Sequence, residues 1–488
     1  MNEEILKLEP AIVWHYFKDI LSIPRPSKKE EKIVTYLLDF GKKYKLETIQ
    51  DEVGNVLIRK AATSGMENRK SVVLQSHIDM VCEKNSDKVH DFDNDPIEAY
   101  IRDDGWVTAN GTTLGADDGI GVAAQLAILA ANDIAHGPIE CLFTIDEETG
   151  LTGAFGLKPG FLQSMILLNL DSEDEGQLFV GCAGGQDTQA WLPYDKIETP
   201  ENYETWKISI SGLKGGHSGD EINNGRGNAN KILNRFLWEN KKKFDIKLHD
   251  FDGGNLRNAI AREAFAIVLI PEGKGQILTT EIKGFEEMLK NEFHATEPDL
   301  LFAAERTNIP DYVIDDESFV ELLNAIYACP HGVIAMSQDI DDFVETSTNL
   351  ASVKFQEDEI LVTTSQRSSV ESEKQDITNM VTSVFKLAGA RTKTSDGYPG
   401  WSPNPNSEIV AITEKRYKEL FNTQPEVLAI HAGLECGLIG DKYPGMDMIS
   451  YGPTVKGAHS PDEAINIETV QKFWDLTLEV LKNIPVED

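Results

Sequence analysis

The sequence predicts an α/β protein in which an outer domain is interrupted by an inserted α+β domain. The outer domain is expected to have a central, largely parallel sheet flanked by helices. Apolar runs typical of strands alternate with helical patterns until about residue 205, and this texture returns near residue 395. The 488 residues also exceed the roughly 300 that a single core usually accommodates. We therefore expect an outer domain of residues 1–204 and 395–488 and an inserted domain of residues 205–394.

Residues 1–204 carry the elements of a parallel sheet. The stretch "SKKEEKIVTYLLDFGKKY" predicts a helix, because Ser27 can cap it and Ile33 and Leu37 share one face. The apolar stretch "GIGVAAQLAILAA" predicts a second helix that is largely buried. Strands are predicted at "NVLIRK", "SVVLQSH", "IECLFTIDEE" and "SMILLNLDSE", and the last two end in carboxylates.

The inserted region is predicted to have two similar halves, although no sequence repeat is visible. The first half reads as strand, helix and strand in "ETWKISISGLKGG", "NANKILNRFLW" and "NAIAREAFAIVLI". The second half reads as helix, hairpin and helix in "DESFVELLNAIYAC", "NLASVKFQEDEILVTTSQRSS" and "ITNMVTSVFKLAGA". The α/β texture then returns in "EIVAITEKRYKELF", "EVLAIHAGLECGLI" and "DMISYGP". The outer domain is thus discontinuous, and the insertion is expected to form a lid.

Charge and cysteine content narrow the class of protein. The 46 basic and 81 acidic side chains give a net charge of −35, which argues against binding to nucleic acid or to an anionic membrane. Five cysteines without a CxxC spacing indicate reduced thiols rather than a disulfide framework. The N-terminus lacks the layout of a signal peptide, and no apolar run approaches the ~18 residues of a membrane span. The sequence predicts a soluble cytoplasmic enzyme.

Imidazole and carboxylate side chains stand at the ends of several predicted strands or loops. His77 and Asp79 follow a buried strand, where alternate residues can face one site. Taken alone, His77 fits a satisfied histidine at a sheet edge equally well. Ligands of open α/β sheets bind at the carboxyl ends of strands, and the further residues of this kind are Asp117, Glu147, Glu148, Asp171 and His459. Carboxylates brought this close would repel one another, so a cation is the simplest way to stabilise them.

The residue types indicate a transition metal. Two imidazoles with several carboxylates suit zinc or a similar first-row ion better than calcium, which prefers oxygen ligands. One bridging carboxylate with two ligands per ion would hold two metals roughly 3.5–4 Å apart, and the metals would lower the pKa of a shared water. The Glu147–Glu148 pair offers one carboxylate as a ligand and the other as a base.

These motifs resemble the M20 family of dinuclear zinc peptidases, most closely its aminoacyl-histidine dipeptidase (peptidase D, carnosinase-like) branch. The resemblance implies two Zn²⁺ ions per chain, with Co²⁺ or Mn²⁺ as substitutes. It also implies hydrolysis of unblocked dipeptides, Xaa-His and β-alanyl-histidine among them, by a metal-bridging water that a glutamate base activates. The stretches that carry the resemblance occur in the family's order: "SHIDMVCEKN", "GTTLGADDGIG", "DEETGLTGA", "LDSEDEGQLFVGCAGG", "GGHSGDEI", "HAGLECGL" and "GAHSPDEAI".

The resemblance assigns a role to each residue of the cluster. Glu147 would be the general base, and Asp79 would orient His77. Asp118, beside the proposed bridge, is variable in the family, and we interpret it as an acid at a helix N-terminus. The implied metal ligands are His77, Asp117, Glu148, Asp171 and His459, with Asp117 bridging.

The predicted lid carries three further candidates. His217 lies in the glycine-rich "LKGGHSGD", where the backbone can approach closely. The resemblance implies that His217 donates to the oxyanion, and the alternative is a solvent-exposed loop histidine. Arg367 and Asn258 are expected at strand ends, where the resemblance implies that they hold the substrate's terminal carboxylate and the carbonyl oxygen. For Arg367, a surface salt bridge is an equal alternative.

Two residues of "HAGLECG" have several interpretations. His431 and Glu435 lie four residues apart, which on a helix would put them on one face. They could form a pair behind the metal ligands, contact the imidazole of a substrate, or make a structural hydrogen bond. The sequence also leaves open whether the protein is a homodimer in which His217 serves the neighbouring protomer.

Two other functions compete with the dipeptidase. One is another M20-type amidohydrolase, such as a tripeptidase, a broad dipeptidase or a deacylase. The other is a non-catalytic metal-binding protein. The intact Glu147–Glu148 pair disfavours the second rival, because a binding protein does not need a base.

Overall fold

The computed structural model describes residues 3–338 and 340–487. The chain divides into two compact units. The first unit contains the residues up to Gly181, the segment Pro403–Ala429 and the residues from Leu434 on. The second unit contains Cys182–Ser402 and the short segment Ile430–Gly433.

These divisions differ from the sequence-based boundaries after residues 204 and 394. Strand Gly184–Pro193 pairs along its whole length with strand Glu359–Ser368 and also with Arg391–Thr394. Its partners therefore lie in the second unit. This unit begins at Cys182, more than twenty residues before the boundary after residue 204 that the pattern of predicted strands and helices suggests.

The first unit contains an eight-stranded sheet whose centre is parallel. Strand Val72–His77 lies between Ile139–Thr144 and Ile166–Asn169 and is parallel to both. Strand Asp447–Ser450 continues the parallel part beside Ile166–Asn169. The order across the sheet is Glu47–Gln50, Val56–Lys60, Ile139–Thr144, Val72–His77, Ile166–Asn169, Asp447–Ser450, Gln177–Cys182 and Glu426–Ile430. This confirms the predicted α/β fold with a largely parallel sheet.

The central strands are buried on both faces because helices cover them. All six residues of Val72–His77 and of Ile139–Thr144 are buried, which is typical of parallel sheets. Helix Ala116–Ala130 is buried along almost its entire length. The helices of this unit are Glu4–Lys7 (a 3₁₀ turn), Ala11–Leu21, Glu31–Tyr44, Ala116–Ala130, Glu147–Gly150, Thr152–Gly156, Glu408–Phe421, Glu435–Lys442 and Ile467–Lys482.

A second, smaller sheet of the first unit positions two loops. Its four strands are, in spatial order, Val455–Lys456, Ala464–Asn466, Trp106–Ala109 and Ala99–Ile101. The turn between the first two strands contains His459, and the loop after Trp106–Ala109 leads to Asp117.

The second unit is built on a nine-stranded sheet in which the paired strands run antiparallel. Its order is Leu301–Arg306, Tyr203–Ser211, Ala264–Pro271, Lys247–Gly253, Val344–Phe355, Glu359–Ser368, Gly184–Pro193 and Arg391–Thr394, and Gly332–Met336 pairs with Val344–Phe355. A separate pair consists of Lys196–Glu198 and Tyr312–Ile314. The helices are Ala229–Phe244, Gly275–Glu292, Asp316–Ala328 and Glu371–Leu387.

The antiparallel sheet and its helices enclose a core of their own. Along Tyr203–Ser211, Trp206, Ile208 and Ile210 are buried at alternate positions, as expected for a sheet with one face against a core. This unit has the α+β character that the sequence predicts. In the described part of the chain, no helix is both long enough and apolar enough to cross a membrane.

Candidate metal centre and substrate-binding residues

His77 is the last residue of strand Val72–His77, and carboxylates face both of its ring nitrogens. Its Nδ1 lies 3.3 Å from Asp79 Oδ1. Its Nε2 lies 2.9 Å from Asp117 Oδ1 and 3.4 Å from Asp171 Oδ1. A metal-binding histidine has this arrangement, because one nitrogen is oriented by a carboxylate while the other is left for the ion.

Asp117 connects two groups of candidate ligands. Its Oδ1 faces His77, and its Oδ2 lies 3.3 Å from His459 Nε2. The same His459 nitrogen lies 3.0 Å from Glu148 Oε2. Ligand atoms of His77, Asp117 and Asp171 lie within 4.8 Å of one another, and so do those of Asp117, Glu148 and His459. With one oxygen in each group, Asp117 has the geometry of a carboxylate that bridges two ions.

Asp79 also holds the turn that carries the paired glutamates. The backbone N–H groups of Glu147 and Glu148 donate to its Oδ1 and Oδ2 at 3.0 and 3.3 Å. Helix Glu147–Gly150 begins directly after Asp146, which has a left-handed backbone conformation (φ 48°). A single buried carboxylate thus lies against His77 Nδ1 and accepts from the first two N–H groups of the helix that bears both glutamates.

The carboxylates of the centre are buried close to one another, and their pKa values reflect this. Burial and the charge of Asp171 raise the pKa of Glu147 well above its ordinary value. Burial, together with the charges of Asp117 and Glu148, raises the pKa of Asp171 to about 7. Without a cation, negative charge is costly at this place.

The pKa values of the two histidines reflect the same excess of negative charge. Hydrogen bonds to Asp117 and Glu148 raise the pKa of His459 to about 11. Burial alone would lower the pKa of His77, but Asp171 and Asp117 raise it well above its ordinary value. The surrounding carboxylates thus favour positive charge at this place, and a donor set of two imidazoles and several carboxylates fits a pair of metal ions.

The five candidate ligands reach the centre by two routes. His77 ends one of three neighbouring parallel strands, and Glu148 and Asp171 come shortly after the ends of the other two, as the sequence predicts. Asp117 lies at the start of helix Ala116–Ala130, and His459 lies in a turn of the small sheet. These two residues come from loops rather than from strand ends of the main sheet.

Asp118 and Glu435 are buried beside the centre but make local contacts. Asp118 Oδ1 accepts a hydrogen bond from the backbone N–H of Gly121 at 3.1 Å, as an acid at a helix N-terminus does. Glu435 Oε2 accepts hydrogen bonds from Gln75 Nε2 at 2.6 Å and from Thr144 Oγ1 at 2.7 Å. Sequence reasoning missed Gln75 and Thr144, although polar residues inside otherwise apolar strands are a recognisable signal.

The interpretation that His431 and Glu435 share a helix face is wrong. His431 follows strand Glu426–Ile430, whereas Glu435 is the first residue of helix Glu435–Lys442, and the two residues belong to different units. His431 is 5% exposed, and its Nε2 lies 2.7 Å from Ser347 Oγ. Burial and the charge of Arg367 lower the pKa of His431 to about 3, so its imidazole is neutral.

In the second unit, His217 lies in the loop between strand Tyr203–Ser211 and helix Ala229–Phe244. Its Nδ1 lies 3.2 Å from the backbone nitrogen of Asp220 and 3.2 Å from Asp220 Oδ2, which leaves Nε2 on the opposite side of the ring. A Cβ at Gly219 would lie 2.2 Å from the carbonyl oxygen of His431 and 3.0 Å from His217 Cε1. The glycine therefore permits the close approach that its place in "GGHSGD" suggests.

Arg367 and Asn258 occupy different environments in the second unit. Arg367 lies near the end of strand Glu359–Ser368, is 7% exposed, and donates from Nη1 to Tyr398 Oη at 3.1 Å. Among the described residues it forms no ion pair, so the surface salt bridge is not seen. Asn258 is exposed in the loop before strand Ala264–Pro271 and not at a strand end as predicted, and its carbonyl oxygen accepts from the Ser218 N–H at 2.8 Å.

Comparison with proteins of known sequence finds a close relative over the full length. The cytosol non-specific dipeptidase of Escherichia coli (strain K12) is 46% identical over 493 residues, which cover 99% of this chain and 100% of the relative. A protein of Bacillus subtilis (strain 168), named as the uncharacterized protein YqjE, is 30% identical over 166 residues, 32% of this chain and 42% of the relative.

Solved structures share the fold. The aminoacylhistidine dipeptidase from Vibrio alginolyticus superposes with a TM-score of 0.93 at 46% identity, covering 100% of this chain and 99% of that one. A tripeptidase from Staphylococcus aureus superposes with a TM-score of 0.57 at 16% identity, covering 98% and 99%, which shows the fold alone. Residues 73–483 match the model of peptidase family M20/M25/M40. The chain belongs to this family of peptidases.

Proposed function

We propose that this M20 peptidase is a metal-dependent dipeptidase that hydrolyses unblocked dipeptides, Xaa-His and β-alanyl-histidine among them. The observation that carries the proposal is Asp117, whose two carboxylate oxygens face two separate ligand groups next to the half-buried Glu147. The two relatives that share 46% identity over almost the whole chain are both named dipeptidases. Their names support the reaction class, and the aminoacylhistidine dipeptidase supports the Xaa-His substrate.

The proposed cofactor is a pair of Zn²⁺ ions per chain, for which Co²⁺ or Mn²⁺ can substitute. One ion would be held by His77 and Asp171, the other by His459 and Glu148, and Asp117 would be shared. Each ion then has one imidazole and two carboxylates, a donor set that suits zinc. When bound, such a pair of ions lowers the pKa of a water molecule and polarises the carbonyl of the peptide bond.

Glu147 is the proposed general base. It stands next to Glu148 in the same helical turn, and the Asp79 carboxylate fixes the backbone of both. Glu147 takes a proton from the attacking water and delivers it to the amine nitrogen when the peptide bond breaks. Asp79 keeps the His77 ring in place through Nδ1 and so acts as a positioning residue.

In this proposal the first unit is the catalytic domain and the second unit is the lid. His217 donates from Nε2 to the developing oxyanion. The Arg367 guanidinium binds the substrate's terminal carboxylate, and Asn258 contributes to binding the carbonyl oxygen. Support comes from the buried Arg367, which has no ion-pair partner in the described chain, and from His217, whose Nδ1 is already engaged by Asp220.

We place the enzyme in the cytoplasm. In the described part of the chain, the five cysteines are not joined in disulfides, as expected in a reducing compartment. The strong negative charge suits neither nucleic acid nor an anionic membrane as a partner.

Metal analysis and a substrate panel test this function together. Protein purified without chelator should hold about two divalent ions per chain, and removal of the ions should abolish hydrolysis until zinc, cobalt or manganese is restored. The panel compares free dipeptides with tripeptides and N-acyl amino acids. Preferred cleavage of tripeptides or N-acyl amino acids would assign the chain to another M20 activity. Full activity in the apo-protein would refute the metal-dependent mechanism.

A further inference from the structure

We infer that Arg25, Gly115 and Glu463 form a buried frame that holds the Asp117 loop in its metal-binding shape. The inference rests on the metal centre proposed above. Arg25 and Glu463 carry opposite charges, and each is 2% exposed. Neither is a proposed ligand. Arg25 donates to backbone carbonyl groups, and Glu463 accepts from backbone N–H groups, of segments that carry proposed ligands.

The Glu463 carboxylate accepts hydrogen bonds from consecutive backbone N–H groups of one loop. Oε2 accepts at 2.7 and 2.9 Å, and Oε1 at 2.7 and 3.4 Å, from the N–H groups of Leu114, Gly115, Ala116 and Asp117. Charge-assisted bonds of this kind are roughly twice as strong as neutral ones. Glu463 closes the turn that contains His459, so the carboxylate joins the loops of two proposed ligands.

Arg25 holds the same loop from the other side. Its Nη2 donates to the carbonyl oxygen of Gly115, and its Nη1 donates to those of Ile78 and Asp79 at 3.1 and 2.5 Å. The guanidinium thereby connects the Asp117 loop to the segment that follows His77. The guanidinium presents its donors from separate nitrogens in a fixed plane, whereas the ammonium group of a lysine presents them from one nitrogen.

Gly115 is hydrogen-bonded to both charged side chains. Its N–H donates to Glu463, and its carbonyl oxygen accepts from Arg25. Its φ is +70°, and a Cβ would lie 2.5 Å from Arg25 Nη2 and 2.9 Å from Met80 Sδ. A side chain here would displace the guanidinium, so both the backbone conformation and the space require glycine.

The frame acts on both ions together because Asp117 has one oxygen in each ligand group. A displaced Asp117 loop moves both oxygens, whereas loss of Asp171 or of His459 removes a ligand from one ion. If the frame forms before the metal binds, the loop is already ordered. The free energy of metal binding then does not have to include the entropy cost of ordering it. We therefore expect frame variants to weaken both ions alike.

The test measures zinc affinity and stability separately. Wild type, Glu463→Gln and Arg25→Lys are stripped with chelator, titrated with zinc against a chromophoric chelator, and melted without metal. The control is Glu140→Gln: Glu140 is 4% exposed and accepts from the N–H groups of Gln163 and Ser164 at 2.9 and 2.8 Å. It lies near the start of strand Ile139–Thr144, and the paired glutamates follow the end of that strand.

Residues that support metal ligands typically contribute 10- to 100-fold in affinity, so we expect a loss of about that size for both ions in Glu463→Gln. Arg25→Lys should show a smaller loss, and the control should lower the melting temperature with wild-type zinc affinity. Should Glu463→Gln fail to fold, Gly115→Ala tests the same frame with both charges kept. Wild-type zinc affinity in the folded frame variants would overturn the frame. A wild type that binds no zinc would instead overturn the proposed function.

Discussion

The candidate sites of the two units have opposite charge character. In the first unit, buried carboxylates surround His77 and His459 and hold the pKa of both rings above the ordinary value. In the second unit, the Arg367 guanidinium is buried without an ion pair in the described chain, and the pKa of the neighbouring His431 is lowered to about 3 by burial and by this charge. The difference is consistent with the proposed ligands of each site: cations in the first unit, and an anionic group such as a substrate carboxylate in the second.

The largest effect is expected at the neighbouring residues Glu147 and Glu148, where loss of the proposed base can be distinguished from loss of a proposed metal ligand. Glu147→Gln should lower kcat by about a thousandfold with metal content unchanged, since removing a positioned base costs about 10² to 10⁴ in rate. Glu148→Gln should instead lower metal occupancy. Kinetics and metal analysis on both variants provide the check, and the reverse pattern would exchange the roles of the two glutamates.

The second unit should contribute to the rate through His217. His217→Ala should lower kcat by about 10² to 10³, the usual effect of losing one oxyanion donor, with metal content unchanged. His294, an exposed histidine of the same unit, provides the control His294→Ala with wild-type kinetics. Unchanged kcat in His217→Ala would make His217 an ordinary loop residue and limit the second unit to binding.

Arg367 should act on binding rather than on rate. Arg367→Ala should raise KM about 10- to 100-fold, because hydrogen bonds to charged groups contribute about 1.5–3 kcal/mol. It should also reduce the discrimination against C-terminally amidated dipeptides. Steady-state kinetics on a free and an amidated dipeptide measure both, with the exposed Arg391→Ala as control. Equal discrimination in Arg367→Ala and wild type would mean that another group binds the carboxylate.

The smallest effect concerns the neutral His431. Its pKa of about 3 in the fold lies below the ordinary 6.5, so below pH 6.5 the unfolded chain takes up a proton that the folded chain refuses. Stability therefore falls as the pH falls, by up to about 2 kcal/mol between pH 6.5 and pH 5 from this residue. His431→Gln should flatten that dependence in urea unfolding, whereas His294→Gln should not. An identical pH dependence in His431→Gln would show that the fold leaves the pKa of His431 at its ordinary value.

The sequence predicted the local elements of the first unit better than their assembly. The apolar runs around Val72–His77 and Ile139–Thr144 are strands, as expected. The place of Asp447–Ser450 beside Ile166–Asn169 could not be predicted, because parallel pairing joins distant segments and leaves no local pattern. Helix Gly275–Glu292 was missed as well, although Leu278, Ile282, Phe285 and Leu289 follow a helical spacing.

For the candidate site, residue types and order could be predicted, but atomic contacts could not. The spacing of Glu147 and Glu148 says nothing about Asp79 holding both of their N–H groups. Arg25 and Glu463 could not be predicted from the sequence. Both are hydrogen-bonded to backbone groups, which every residue has, so no particular residue type elsewhere in the sequence indicates a partner. Asn258 was misplaced at a strand end because the length of the loop after Lys247–Gly253 has no clear signal.

The interrupted construction of the first unit also has a consequence for biosynthesis. A ribosome completes strand Ile166–Asn169 long before it reaches Asp447–Ser450, the strand that pairs with its outer edge. Throughout translation of the insertion, strand Ile166–Asn169 lacks this partner, and an unpaired strand edge is a place where other chains can add. For the same reason, His459 and Glu463 join the candidate metal centre only after the last segment has been synthesised. Under the proposed function, zinc is bound by the complete set of proposed ligands only after the last segment has emerged, so maturation of the enzyme would follow translation rather than accompany it.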